Sequence, residues 1–223
     1  MGLKNPKEIY DHAIKNDYAL GAFNTFSLET ALAVMDAAEE MRSPAIIQVS
    51  MGARKFVKNL DVYVEMLRRL ADKYEVPFFI QHDHCPTVEA CKEAIEAGCQ
   101  SVMFDGSHLP YEDNVEQTKE IVEYAHKRNI WVEAELGCLP GFEDFVFAEK
   151  AVYTNPQKAK EFIALTGCDA LAVAVGTSHG GVRGDDYLPL DLELMKKIAA
   201  EKPGYPFVLH GAASVSYTHL RAH

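Results

Sequence analysis

Three apolar runs of this chain lead into histidines: FFIQHDH (Phe78 to His84), ALAVAVGTSH (Ala170 to His179) and FVLHG (Phe207 to Gly211, containing His210). Each run is apolar at successive positions, the pattern of a strand covered on both faces in a parallel sheet. Imidazoles brought from the same end of three such strands can hold one metal ion and leave a coordination position open for substrate. Carboxylates gather in the same kind of place: Asp83 between His82 and His84, Asp105 after SVMF, Glu135 within IWVEAELG, and Glu143 in the loop beyond. An acid at the end of a buried strand is costly unless it is paired or at work. These acids are therefore read as participants in chemistry or as partners that hold a ligand histidine. His82 is ambiguous: strict alternation puts it on the face of His84 and puts Asp83 on the opposite face. That conflicts with a role for Asp83 unless the alternation breaks as the strand ends. Glycines follow two of the histidines, in His179-Gly180-Gly181 and His210-Gly211-Ala212-Ala213-Ser214. Small residues expose backbone N–H groups that suit a phosphate, and they equally serve tight turns. Among the other histidines, His12 and His126 fit helices, His108 a loop, and His219 and His223 the C-terminal tail.

These side chains need a scaffold of strands with helices between them. The strand-like runs are ALGAF (19–23), AIIQVS (45–50), PFFIQHD (77–83), SVMFDG (101–106), IWVEAELG (130–137), ALAVAVG (170–176) and FVLHG (207–211). Helix starts are marked by Asn5-Pro6, Ser27, Thr87, Asn155-Pro156 and Asp191, and stops by Gly98 and Gly167. The helix opened by Asn5-Pro6 is expected to cover the floor of a barrel. Alternating strands and helices predict either a TIM (β/α)8 barrel or a doubly wound sheet. No G-x-G-x-x-G follows the first strand, which weakens the dinucleotide-binding alternative. Polar residues collect after many different strands, the habit of barrels, whose active sites lie at the strands' C-terminal ends. Seven strand-like runs are present where a closed barrel has eight. The expectation is an incomplete barrel over residues 1–215 with the eighth βα unit missing. A non-native tail is expected over 216–223, where SYTHLRAH has no apolar period.

The chain has 223 residues, which suits one large α/β domain or two small ones, and 48% of them are hydrophobic, enough for a real core. Its net charge is −11, which argues against a nucleic-acid partner, since phosphate contacts need clustered Lys and Arg. No apolar run is long enough to span a membrane, and the N-terminus has no signal-peptide core. The five cysteines, with no C-x-x-C pair, are expected to be reduced thiols in a cytoplasmic protein.

Together the segments GAFN (21–24), QVSMGA, HDH, SVMFDGSHLP, VEAELGCLPGFED, GTSHGG and LHGAAS resemble the class II, metal-dependent fructose-bisphosphate aldolase family, on its tagatose-bisphosphate aldolase side. The resemblance covers nearly all of residues 5–215 in family order and implies a TIM barrel. It implies Zn²⁺ held by His84, His179 and His210, with Asp105 and Glu135 at an alternative metal position that gives room for a second divalent or monovalent cation. It assigns the proton-transferring aspartate to Asp83 and the enolising glutamate to Glu143. Gly181, Gly211 and Ser50 match positions that contact the ketose phosphate, Asn24 matches a site asparagine, and Ser214 lies beside Ala213, where a phosphate-contacting serine is usual. The family's His-Leu-Asp-His-Gly reads Gln81-His82-Asp83-His84-Cys85 here, and its eighth-strand Asn-x-Asp-Thr-Asp segment is absent.

The implied activity is metal-dependent, reversible aldol cleavage of a ketose 1,6-bisphosphate, fructose or tagatose, to dihydroxyacetone phosphate and glyceraldehyde 3-phosphate. The implied assembly is a homo-oligomer, dimer or tetramer. No strand ends in lysine, which sets aside a Schiff-base aldolase. The alternatives are a zinc metallohydrolase of TIM-barrel type, since His82-x-His84 also resembles a hydrolase metal pair, and an inactive barrel fragment.

Overall fold

The computed structural model describes residues 2–139, 141–143, 146–148, 152–179 and 190–212. The chain divides into two units, Met1–Phe104 with Glu123–Val132, and Asp105–Val122 with Glu133–His223.

The first unit opens with helix α1 (Pro6–Lys15), where the Asn5 side chain accepts a hydrogen bond from the Lys7 N–H at 2.9 Å and Pro6 occupies the first turn. It continues through strand β1 (Gly21–Asn24), helix α2 (Leu28–Met41), strand β2 (Ala45–Val49), helices α3 (Met51–Val57) and α4 (Leu60–Ala71), strand β3 (Phe78–Cys85), helix α5 (Val88–Glu96) and strand β4 (Ser101–Phe104). It ends with the last turn of α6 (Tyr111–His126) and the first residues of β5 (Trp131–Leu136). The strand order is β1-β2-β3-β4-β5. Ser27 and Thr30 cap α2 reciprocally, and Thr87 caps α5, as their positions before apolar-periodic runs predict.

Strands β2 and β3 are buried along their whole lengths, as expected for strands covered on both faces. Strand β1 differs: Ala22, Phe23 and Asn24 are exposed, because among the described residues β1 stands at the end of the strand order with a neighbour on one side only. Helix α1 packs Ile9 and Tyr10 on Ile46 and Phe79, at the N-terminal ends of β2 and β3. Tyr10 stacks on Trp131 with ring centroids 5.2 Å apart. This is the floor position expected for the N-terminal helix.

The second unit holds the first three turns of α6, the rest of β5, strands β6 (Gly141–Glu143) and β7 (Val146–Ala148), helix α7 (Pro156–Thr166), strand β8 (Ala170–Val173), helix α8 (Leu192–Glu201) and strand β9 (Phe207–Val208). The order β5-β8-β9 is parallel throughout. Asn155 caps α7 ahead of Pro156, and Gly167 closes it in the left-handed region; Asp191 caps α8. Strand β9 is shorter than the expected FVLHG run and only half-buried. The stretch after β5 was expected to be a loop, but β6 and β7 form an antiparallel pair with Phe142 opposite Phe147.

All seven expected strands are present, each joined in parallel to its sheet neighbours where the register is given. None of the described helices is long and apolar enough to cross a membrane. The five cysteines are free thiols.

Candidate active site

In the first unit the predicted residues lie at the C-terminal end of β3. Asp83 and His84 are both buried. The pairing of β3 with β4 runs Gln81↔Ser101, His82↔Val102 and then Cys85↔Phe104. Asp83 and His84 therefore stand together opposite the single residue Met103. This is a β-bulge, which bends the strand and re-aims its side chains. His84 has φ 46°, in the left-handed region, which histidine enters several-fold more readily than most residues. The bulge resolves the conflict over His82: regular alternation ends there, and Asp83 is not bound to the face it would otherwise occupy. Asp83 Oδ1 accepts a hydrogen bond from Gln48 Nε2 at 3.1 Å. Gln48 is a polar residue within the apolar run of β2, and it fixes the orientation of the carboxylate. Burial pushes the Cys85 thiol well above its ordinary range, so this thiol is neutral.

Asn24, the last residue of β1, is exposed and in register with Gln48. Ser50 follows β2 and caps α3, its hydroxyl accepting from the Ala53 N–H at 3.2 Å. Ser50 thus has a structural duty in addition to the expected phosphate contact.

In the second unit His179 and His210 are buried with ring centroids 6.1 Å apart. Their approach depends on Gly211. This residue has φ 66°, and a Cβ added to it would lie 2.6 Å from the Ser178 carbonyl oxygen. Only glycine allows the chain after β9 to run this close to the residue before His179. His210 Nε2 is 2.8 Å from Glu133 Oε1, both side chains being almost fully buried. A carboxylate on Nε2 favours the tautomer with the proton there and the lone pair on Nδ1, the arrangement that orients a metal-binding histidine. Two buried imidazoles, one backed by a carboxylate, are a donor set suited to zinc.

The other acids of this unit are held at strand ends. Asp105 is buried and accepts from the Ser107 N–H at 3.1 Å and the Ser107 hydroxyl at 2.6 Å. Glu135 is buried, and its carbonyl accepts from Asn114 Nδ2 at 3.0 Å. Burial, and secondarily the charges of Glu135 and Asp105, raise the Cys138 thiol above its ordinary value. Beyond them Gly137, at φ 100°, lies so close to Thr154 that a Cβ would approach its Oγ1 to 2.7 Å. Thr154 in turn receives the Ala174 N–H at 2.8 Å and donates to the Leu136 carbonyl, tying the ends of β5 and β8 together.

Glu143 falls in β6 rather than in a loop. Gly181, Ser214 and the tail 216–223 lie outside the described residues. Sequence reading missed Gln48 and Glu133. Both had a signal: a polar residue in an otherwise apolar strand, and for Glu133 a two-residue spacing from Glu135 that places both on one face.

A family profile described as "Fructose-bisphosphate aldolase class-II" matches residues 4–223. The fructose-bisphosphate aldolase of Treponema pallidum (strain Nichols) is 40% identical over 240 residues, spanning 99% of this chain and 72% of that protein. The Geobacillus stearothermophilus enzyme of the same name is 42% identical over 217 residues, spanning 96% and 75%. Among solved structures, the YdjI aldolase of Escherichia coli superimposes with a TM-score of 0.82 at 33% identity, covering 97% of this chain and 75% of that one. The fructose-bisphosphate aldolase of Campylobacter jejuni gives 0.75 at 25% identity, covering 95% and 70%. The fold is therefore α/β of the TIM-barrel type, and the chain belongs to the class II fructose-bisphosphate aldolase family.

Proposed function

We propose that this protein catalyses reversible, metal-dependent aldol cleavage of a ketose 1,6-bisphosphate, with fructose and tagatose bisphosphates as the candidate substrates. The products are dihydroxyacetone phosphate and glyceraldehyde 3-phosphate. The observation that carries the reading is the buried Asp83–His84 pair, set on a bulge at the end of β3 with Gln48 aligning the carboxylate. Such a pair supplies an oriented acceptor for a proton next to a metal-ligating imidazole.

In this reading His84, His179 and His210 hold a Zn²⁺ ion, on the strength of the family resemblance and of the chemistry of these donors. The bound ion would supply Lewis-acid polarisation of the ketone oxygen and stabilise the negative charge that develops as the carbon–carbon bond breaks. Asp83 accepts the C4 hydroxyl proton as the C3–C4 bond cleaves. C4 becomes the aldehyde carbonyl of one product, and the bonding electron pair stays with the C3 fragment. Glu143 delivers the proton that C3 then takes up. Gly181 and Gly211 offer backbone N–H groups to phosphate, with Ser50, Ser214 and Asn24 completing the substrate contacts. Asp105 and Glu135 form the alternative cation position. A cytoplasmic homo-oligomer, dimer or tetramer, completes the proposal, as does the division into a barrel domain over 1–215 and a non-native tail over 216–223.

Family membership favours this chemistry over the metallohydrolase reading. The test is a coupled assay of triose phosphate release from fructose and tagatose bisphosphates, before and after chelation and with zinc added back. Chelator-sensitive cleavage restored by zinc is expected. Covalent trapping of substrate by borohydride would overturn the metal route, and absence of cleavage by a zinc-loaded chain would favour an inactive barrel fragment.

A further inference from the structure

Presenting Asp83 and His84 from adjacent positions of one strand requires the backbone to leave its regular path and His84 to hold a left-handed φ. Something has to keep it there, since a strand of this composition otherwise returns to even alternation. The two residues that flank the irregularity are His82, the last one in the first register with β4, and Cys85, the first one in the shifted register. Their side chains meet across the bulge, with Cys85 Sγ 3.1 Å from His82 Nδ1. Both residues are fully buried. The contact is a hydrogen bond in a buried setting, with the imidazole tautomer deciding which group donates.

We infer that the His82–Cys85 hydrogen bond is a clamp across the bulge, and that these two are positioning residues for Asp83 and His84. The clamp closes a loop of only four residues, so its geometry bears directly on the backbone of the two residues between. Burial withholds Cys85 from solvent, so the thiol serves geometry rather than nucleophilic chemistry.

In its catalytic consequence the inference rests on the proposed aldolase reading; in its structural claim it does not, and the test separates the two. Four variants are compared with the unaltered full chain: Cys85→Ala, Cys85→Ser, His82→Leu and the double variant His82→Leu/Cys85→Ala. Three properties are measured: hydrogen exchange at the amides of residues 83–85 in metal-free protein, zinc affinity by competition with a chromophoric chelator, and kcat and KM for fructose bisphosphate cleavage. A clamp predicts that Cys85→Ala and His82→Leu each speed exchange at these amides on the order of tenfold, weaken zinc binding on the order of tenfold and lower kcat with KM nearly unchanged. The double variant should be no worse than either single one, because both remove the same bond. Serine, whose hydroxyl can donate or accept as the thiol does, should restore all three properties to within about twofold.

Exchange unaltered in Cys85→Ala, serine as damaging as alanine, or additive losses in the double variant would each overturn the clamp. If the histidine variants do not fold, the alanine–serine comparison alone decides. If the unaltered chain neither binds zinc nor cleaves sugar, the aldolase reading fails while the exchange measurement still decides the clamp.

Discussion

Glu133 and Gly211 do for His210 what Gln48 does for Asp83: each fixes a proposed site residue from another strand or from a turn. Replacing Glu133 by Gln keeps the shape but removes the carboxylate that faces His210 Nε2 at 2.8 Å. Zinc affinity is expected to fall by about tenfold to a hundredfold, the usual effect of losing a carboxylate behind a ligand histidine, as a competition titration would show. Gly211→Ala is predicted to cost stability of about 1–3 kcal/mol in urea unfolding, the range for a residue held in a disfavoured conformation. Its close approach to the Ser178 carbonyl adds to that cost. The histidines and acids proposed for this site stand out in the sequence by their residue types at the ends of apolar runs. Their partners were harder to read, because a carboxylate or amide within a strand shows its purpose only once the neighbouring strand is in register. Glu133 was passed over in favour of Glu135 for this reason, although the same run carries both.

Helix boundaries were the most legible elements, because their signals are local. Asn5, Ser27, Thr87, Asn155 and Asp191 all cap the helices that they precede, and each accepts a backbone N–H. Asn155→Ala should lower stability by about 1 kcal/mol, as loss of such a cap does, seen as a shift of the unfolding midpoint without change in the cleavage rate per folded molecule. Strand irregularities were not legible. The bulge in β3 depends on the spacing of β4, and nothing local to Gln81–Cys85 announces it. The β6–β7 pair escaped for another reason. Its strands have three residues each, below the run of four to eight that alternation can register.

At the scale of the whole molecule, the seven parallel strands of the larger sheet followed from the sequence, since alternating βα units leave few topologies open. The division of cysteines between core and surface offers a further check. Cys85, Cys91 and Cys99 are fully buried and Cys168 nearly so, whereas Cys138 keeps partial exposure. Burial also pushes the Cys99 thiol up to about 12. A thiol-specific reagent at pH 8 is therefore expected to label Cys138 first and the other four only on unfolding. The Cys138 thiol is raised too, by burial and then by Glu135 and Asp105. Its labelling rate should accordingly keep climbing with pH beyond the range of an ordinary thiol, because the thiolate is the reacting form. A rate that levels off at the ordinary thiol range would contradict its buried, acid-flanked setting.

The stack of Tyr10 on Trp131 has a spectroscopic consequence. Trp131 is the chain's single tryptophan, and it lies with Tyr10 against the N-terminal ends of strands whose opposite ends carry Asp83 and His84. Intrinsic emission excited at the indole band therefore reports on the α1-covered end of the first unit and has no direct view of the chemistry. Loading or stripping metal should leave the emission maximum in place, while detaching α1 should shift it to the red. The protein thus carries an optical probe of how α1 packs in the first unit.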